Sequence, residues 1–378
     1  MFSEKRLLKT YFDLLKIDST TGNEKNIAQY INQAIKNMGL ETKIYYYNEP
    51  EGPSLYTVVK GEKAGPTLLL IGHIDTVAVQ QGWNTDPFTP IVEGDKVYAL
   101  GACDMKGGLT CILDVLNIIS KEKANLKGSI IAAFVSDEEY LSRGTFTLLE
   151  NGLKADMAIM AECRFNEITL GFRGRYSIGV EVYGKSAHSS KYPEIGENAI
   201  IYAAKIAEKI EKLPTMIHPR LGSGSWCIRH IIGGIKTTLN VPDKCELFID
   251  RFVVPGEDYE FCIRQIIDLA NKLGLEEKVK VFLVPRETPY MEPFVISEDH
   301  ILVEIIRDKY KEVVGKNLPI GYDKSVCDSN YLYRIGNIPT VTFGPGGENM
   351  HSPNECGYIS QIIACRQIYL ETIKELMF

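Results

Sequence analysis

The chain has 378 residues, 45% apolar and 24% charged, the make-up of an ordinary globular protein too long for one compact core and suited to two domains. A formal charge of −7 without any sustained Lys/Arg cluster argues against nucleic acid or an anionic membrane as partner, because phosphate binding needs a basic face, and leaves a small molecule as the expected ligand. The opening residues Met1-Phe2-Ser3-Glu4-Lys5-Arg6 carry charge where a secretory signal needs apolar side chains, and no apolar run approaches the roughly 20 residues of a membrane span, so a cytoplasmic protein is expected.

Residues 23–38 place Ile27, Tyr30, Ile31, Ala34, Ile35 and Met38 at helical spacing, with Gly39 positioned to end the helix. Strands are expected over 56–60, 67–71, 129–135, 157–160 and 339–343, with a helix over 107–120 that lines up Leu109, Ile112, Leu113, Leu116 and Ile119. Continuous apolar strands alternating with helices predict an α/β domain whose sheet is covered on both faces and whose binding crevice lies at the carboxyl ends of the strands. Between 176 and 284 the order changes to strand 177–183, helix 198–213, strands 225–232 and 244–254, helix 257–273 and strand 278–283. That βαββαβ pattern is the ferredoxin-like arrangement. The expected organisation is therefore a catalytic domain of residues 1–174 and 286–378, resumed by strand 339–343 and an amphipathic stretch over 359–376, with residues 175–285 inserted as an α+β domain.

Five acidic or histidine-bearing segments fall where apolar runs stop: Gly72-His73-Ile74-Asp75, the run 101–108 around Asp104, Ser136-Asp137-Glu138-Glu139, Ala161-Glu162 and Met350-His351-Ser352-Pro353. Each has a plain alternative. A strand-end histidine is commonly structural, Asp104 stands where a helix-capping aspartate would, and 137–139 reads equally as a solvated acidic loop. Their joint occurrence at successive strand ends is the pattern of a two-metal hydrolytic centre built from loops. In it a carboxylate such as Asp75 can orient an imidazole ligand, and one of two adjacent glutamates can bind metal while the other stays free to carry protons. Nine cysteines are scattered singly without a C-x-x-C pair, which suits a reducing compartment; Cys103 and Cys163 flank ligand candidates and are expected as small buried fillers.

In this order the residues resemble the acetylornithine deacetylase, succinyl-diaminopimelate desuccinylase and glutamate carboxypeptidase family of co-catalytic zinc hydrolases, over nearly the whole chain. The resemblance implies a zinc-peptidase-like catalytic domain with a mixed sheet and an inserted lid or dimerisation domain. It further implies that Asp104 bridges two metals, that His73 and Glu162 complete one site and Glu139 and His351 the other, with Glu138 as general base and Asp75 as partner of His73. The Asp104-Met105 peptide is expected to be cis. His188, in Gly184-Lys185-Ser186-Ala187-His188-Ser189, resembles the histidine that reaches a partner subunit's active site and hydrogen-bonds the developing oxyanion, which makes a homodimer the expected state. Asn240 and Arg251 resemble positions that hold the substrate carboxylate or carbonyl, and 344–347, with Gly346 and Gly347, resembles a carboxylate-binding turn.

Two cations about 3.5 to 4 Å apart would share a hydroxide and polarise a carbonyl, with Glu138 moving protons and His188 steadying the oxyanion. Zn²⁺ is expected from the imidazole and carboxylate donors, with Co²⁺ or Mn²⁺ as substitutes. The expected reaction is hydrolysis of an N-acyl amino acid. Carboxypeptidase or dipeptidase action on a short peptide and ureido or carbamoyl amide hydrolysis are the alternatives, and by the resemblance a glutamate at 162 sides with deacylases and carboxypeptidases. A non-catalytic relative would have lost a ligand or the base, and none is missing; no G-x-G-x-x-G, P-loop or G-x-S-x-G stands in the chain to support a nucleotide-binding or serine-hydrolase reading.

Overall fold

The central apolar runs show no alternation because both of their faces are covered. In the computed structural model, which describes residues 4–378, strands Lys63–His73 and Lys127–Val135 are buried along their carboxyl-terminal halves. Leu69, Ile71, Ile131, Ala133, Val135, Ala158 and Met160 face one side and pack with Leu148 and Leu332 from helices Arg143–Glu150 and Ser329–Arg334. Leu68, Leu70, Ile130 and Ala132 are equally buried, and helix Lys106–Glu122 packs against both of these strands and against helices Glu4–Leu15 and Ile359–Met377. Burying each such Leu or Ile stabilises the fold by about 1.5–3 kcal/mol relative to leaving it in water.

The chain divides into two compact units, the first made of residues up to Gly171 with Val295–Tyr322 and Cys327–Phe378, the second of Phe172–Phe294 with Asp323–Val326. In the first, a mixed nine-stranded sheet runs in the order Lys43–Asn48, Glu51–Lys60, Lys127–Val135, Lys63–His73, Met157–Met160, Thr340–Thr342 and Ile168–Phe172 before its outer strands. The four strands from Lys127–Val135 to Thr340–Thr342 are mutually parallel. They end together, His73 opposite Val135 and Ile71 opposite Met160, so the segments after all four emerge along one edge. No helix among the described residues is long and apolar enough to cross a membrane.

The second unit has the expected βαββαβ order: Gly174–Tyr183, helix Ala199–Ile210, Ser225–Gly233, Lys244–Val253, helix Tyr259–Lys272 and Val279–Leu283, with a short ribbon Ile217–His218/Gly222–Ser223 after the first helix. Its antiparallel sheet runs Ser225–Gly233, Lys244–Val253, Gly174–Tyr183, Val279–Leu283. Asn198 and Asp258 cap the two helices by accepting backbone N–H groups of the first turn. The core joins Ile178, Val180, Val182, Leu247 and Ile249 to Ala203, Ile206 and Ile266.

The boundaries differ from the expected 174/175 and 285/286. Residues 286–294 belong with the second unit because they bond to its first strand: Arg175 N–H donates to the Met291 carbonyl at 2.9 Å, Tyr176 hydroxyl to Glu292 at 2.6 Å and Tyr290 hydroxyl to Val284 and Ser177 carbonyls at 2.6 and 3.2 Å. An irregular segment stitched to a strand by tertiary bonds leaves no periodicity in sequence.

Candidate metal centre

Each of the four parallel strands delivers part of one cluster. His73 closes Lys63–His73, Glu138 and Glu139 follow Lys127–Val135, Glu162 lies just beyond Met157–Met160, and the loop after Thr340–Thr342 carries His351. Asp104 arrives from the segment before helix Lys106–Glu122, and its peptide bond to Met105 is cis, as expected. Two glycines permit this convergence. A Cβ at Gly108 would lie 2.1 Å from the Ala161 carbonyl oxygen, and one at Gly344 2.3 Å from the same atom, so the helix start and the His351 loop both press against the backbone that presents Glu162.

The ligand-type atoms fall into two triads that share Asp104: His73, Asp104 and Glu162, and Asp104, Glu139 and His351. His73 Nε2 lies 3.1 Å from Asp104 Oδ1 and 3.3 Å from Glu162 Oε1; His351 Nε2 lies 3.0 Å from Asp104 Oδ2 and 3.1 Å from Glu139 Oε1. These are the two sets expected from the sequence. The shared carboxylate offers a different oxygen to each. Both His351 and Asp137 have left-handed backbones, φ 58° and 68°, a strain that non-glycine residues carry mostly where surrounding structure enforces it.

The contact that orients His73 comes from the Asp75 backbone carbonyl and not from the expected carboxylate, which is used elsewhere. His73 Nδ1 lies 2.9 Å from the Asp75 carbonyl oxygen and 3.6 Å from its carboxylate, so a proton on Nδ1 leaves the Nε2 lone pair facing the triad. The Asp75 carboxylate itself accepts the backbone N–H groups of Glu138 and Glu139 at 3.1 and 3.2 Å and the Thr21 hydroxyl at 3.0 Å. Asp137, the third acid of that run, turns away from the cluster and takes a bidentate bond from Arg143, 2.8 Å at each oxygen, plus the Arg143 backbone N–H at 3.1 Å. Asp137 thereby fixes the turn that presents its two neighbours.

The charge balance supports a cation. Asp75, Asp104, Glu138, Glu139 and Glu162 face His73 and His351, five carboxylates against two imidazoles in a largely buried place. Burial pushes the Glu138 carboxyl well above the usual carboxylate range, and Glu162, Asp328 and Glu139 add to it against the opposing pull of His73. Burial raises Glu139 as well. For Asp104 burial is outweighed by hydrogen bonds to His351 and His73, which hold its carboxyl below the ordinary range. His351 is pushed up to about 10 by its bonds to Asp104 and Glu139. Two divalent cations would offset most of the surplus negative charge, and mixed nitrogen and oxygen donors suit transition ions.

Three buried acids in the same unit are not legible in the sequence. Glu355, Asp328 and Glu24 are buried carboxylates, each pushed up to about 7 chiefly by burial. Asp328 accepts the Thr145 hydroxyl at 2.6 Å, and Glu355 accepts backbone N–H groups beside Asp104. Isolated acids in irregular segments give no periodic signal.

The substrate-side expectations fare differently. Arg251 is fully buried within the second unit, its guanidinium paired with Glu257, bonded to the Phe252 carbonyl and stacked 4.6 Å over Trp226. Its fork already holds a carboxylate of its own chain, which corrects the reading of Arg251 as a substrate anchor. Removing one partner of a buried pair strands the other, so Arg251→Ala is expected to destabilise by about 3–5 kcal/mol, read from the urea midpoint at constant m-value; a shift within about 0.5 kcal/mol, typical of a surface change, would contradict this. Gly346 N–H donates to Gln361 Oε1 at 2.9 Å, and Gly347 pairs with Gly357 in a short ladder. The Gly346 N–H is therefore engaged within the fold, a second correction. His188 and Asn240 come together as an exposed β-bridge in the second unit.

The fold and donor set define a metal-dependent hydrolase. The chain belongs to peptidase family M20/M25/M40, whose family model matches residues 69–375. It is 28% identical over 382 residues to the succinyl-diaminopimelate desuccinylase of Nautilia profundicola, covering 96% of this chain and 97% of the relative. With the N-formyl-4-amino-5-aminomethyl-2-methylpyrimidine deformylase of Bacillus subtilis it shares 26% identity over 386 residues, 94% of this chain and 89% of that one. The structure of a Staphylococcus aureus tripeptidase superposes with a TM-score of 0.84 and 25% identity over 100% of this chain and 99% of the other.

Proposed function

We propose that the protein is a two-zinc amidohydrolase that removes the acyl group from an N-acyl amino acid. The observation that carries this is the pair of triads sharing Asp104, with Glu138 beside them and outside both. His73, Asp104 and Glu162 would hold one cation and Asp104, Glu139 and His351 the other. Cations held there would supply a lowered pKa for bound water and polarisation of the scissile carbonyl. Glu138 takes the proton released when water attacks and returns it to the departing amine, a role suited to a buried carboxyl whose proton affinity is raised. The Asp75 carboxylate holds the Glu138 backbone in place for both transfers.

His188 is the oxyanion donor in this reading. Ser190 N–H donates to His188 Nδ1 at 3.2 Å, which places the neutral ring's proton on Nε2, where it can be given to a substrate oxygen. Asn240, its bridge neighbour, supplies an amide to the substrate's polar end. The protein acts as a homodimer in which His188 serves the partner subunit, and exposed Ile231 and Ile232 on the edge strand Ser225–Gly233 are in keeping with pairing between copies. A cytoplasmic setting accords with nine free cysteines.

Deacylation is favoured over peptide cleavage by the acyl-removing names of the desuccinylase and deformylase relatives, while the glutamate at 162 suits deacylases and carboxypeptidases alike. The tripeptidase likeness supports a second reading, hydrolysis of a short peptide. Elemental analysis and turnover on N-acetyl and N-succinyl amino acids and on di- and tripeptides test both. About two zinc ions per chain and chelator-reversible activity on the N-acyl amino acids are expected. Full activity in chelator removes the two-metal reading, and turnover restricted to peptides selects the alternative.

A further inference from the structure

One buried carboxylate ties together two of the three chain segments that supply the second triad, those of Asp104 and His351. Glu355, 1% exposed, accepts three backbone N–H groups from a single turn: Gly101 on Oε2 at 2.9 Å, and Cys103 and Asp104 on Oε1 at 2.7 and 2.9 Å. Its own carbonyl accepts Ala99 N–H at 3.2 Å. Glu355 stands four residues after His351 and directly before strand Cys356–Tyr358, which pairs with Lys96–Tyr98 at the entrance to the same turn. His73 closes a core strand and Glu162 follows another, so the sheet fixes both. Asp104 has no such support. The turn that carries it points its N–H groups at a side chain where a neighbouring strand would offer carbonyls.

We infer that Glu355 is the positioning residue of the bridging carboxylate, holding Asp104 in register with His351 and so setting the affinity of both cations. The inference rests on the two-metal reading above. A carboxylate is required by the count of donors: three N–H groups converge on two oxygens, and only an ionised Asp or Glu is acceptor-only on both. Glutamine has the same shape but would aim an NH₂ group at one or two of those N–H groups, leaving buried donors facing a donor. Aspartate keeps the charge but is one methylene shorter. Glu355 oxygens are taken up by these N–H groups, which separates its role from that of a ligand.

Glu355→Gln and Glu355→Asp, compared with the wild type, test this by zinc transfer to a chromophoric chelator, by the visible spectrum of the Co²⁺-substituted protein, and by the unfolding midpoint of the stripped protein. Glu355→Gln should raise the zinc dissociation constants of both sites roughly 10–100-fold, the scale for a residue that orients a metal ligand, shift the Co²⁺ bands, and lower kcat with KM little changed. Glu355→Asp, which retains the charge and serves if the glutamine variant fails to fold, should show the same changes to a smaller degree. A lower midpoint of the stripped protein with unchanged zinc affinity and Co²⁺ spectrum would mean that Glu355 serves the fold alone, and would overturn the inference. If the wild type itself binds neither ion, the two-metal reading falls, and that outcome is separate from any difference between variants.

Discussion

Glu138→Gln is expected to keep zinc and fold while losing at least about 10²-fold in kcat, the usual scale for a general base. The Glu138 carboxylate belongs to neither triad, and its backbone N–H, bonded to Asp75, is untouched by the change. Glutamine fills the same space and cannot take a proton. Glu139→Gln is the contrasting case, because Glu139 meets His351 in the second triad; it should release metal before it slows chemistry. Zinc content and kcat measured on both variants decide the assignment, and the opposite pattern would mean that the two neighbours are exchanged. Glu138→Gln also tests the proposed homodimer. Mixed with His188→Ala it should regain part of the activity, since a mixed dimer contains one site with both residues intact. No regain despite demonstrated subunit exchange would place His188 in its own chain's site or in none.

The parts of this site that could be read from sequence are those that sit at the ends of strong periodic patterns. His73, Glu139 and Glu162 follow apolar runs whose length and composition identify core strands, and the strand ends fix where their side chains go. Asp104 and His351 were legible through glycine-rich segments, and the structure gives the reason: Gly108 and Gly344 allow close backbone approach to Ala161. Helix Ile301–Val314 and strand Ile168–Phe172 were not anticipated, although their burial is as complete as that of the elements that were. What sequence could not show is how polar groups pair over long separations. Arg251 and Glu257 are six residues apart and close on each other inside the second unit, and a motif reading that treats an arginine as free cannot see its partner. Glu355 reaches Asp104 across 251 positions, a contact without any local signature.

The largest effect is expected at Asp104, because both triads lose a donor when it is changed. Asp104→Asn keeps the shape but offers one oxygen, so at most one cation retains a ligand there, and metal retention should fall by more than the roughly 10–100-fold typical of residues that merely orient ligands. The same variant reveals how protons stand in for cations. In the stripped wild type His351 has a folded pKa of about 10, above the roughly 6.5 of an unfolded histidine, so its bonds to Asp104 and Glu139 stabilise fully below about pH 6.5 and are lost as pH rises through about 10. Asp104 is depressed instead, so its contribution is present above the roughly 3.9 of an unfolded aspartate and is lost only as pH falls through its lower folded value. Between about pH 6.5 and 10 the stripped protein should therefore grow less stable as pH rises, because His351, His73 and Glu138 all hold protons more tightly than in the unfolded chain. Lys106, whose ammonium burial depresses to about 7, makes the opposing contribution. The zinc-loaded protein should show the opposite slope over the neutral range, because an imidazole must be neutral to bind metal and loading releases protons. In Asp104→Asn the negative slope of the stripped form should shrink, since one of the two carboxylates holding the His351 proton is gone. Urea midpoints of the stripped wild type, the loaded wild type and the stripped variant across pH 6 to 10 measure all three, and parallel slopes for stripped and loaded wild type would show that zinc does not take the place of the His351 proton.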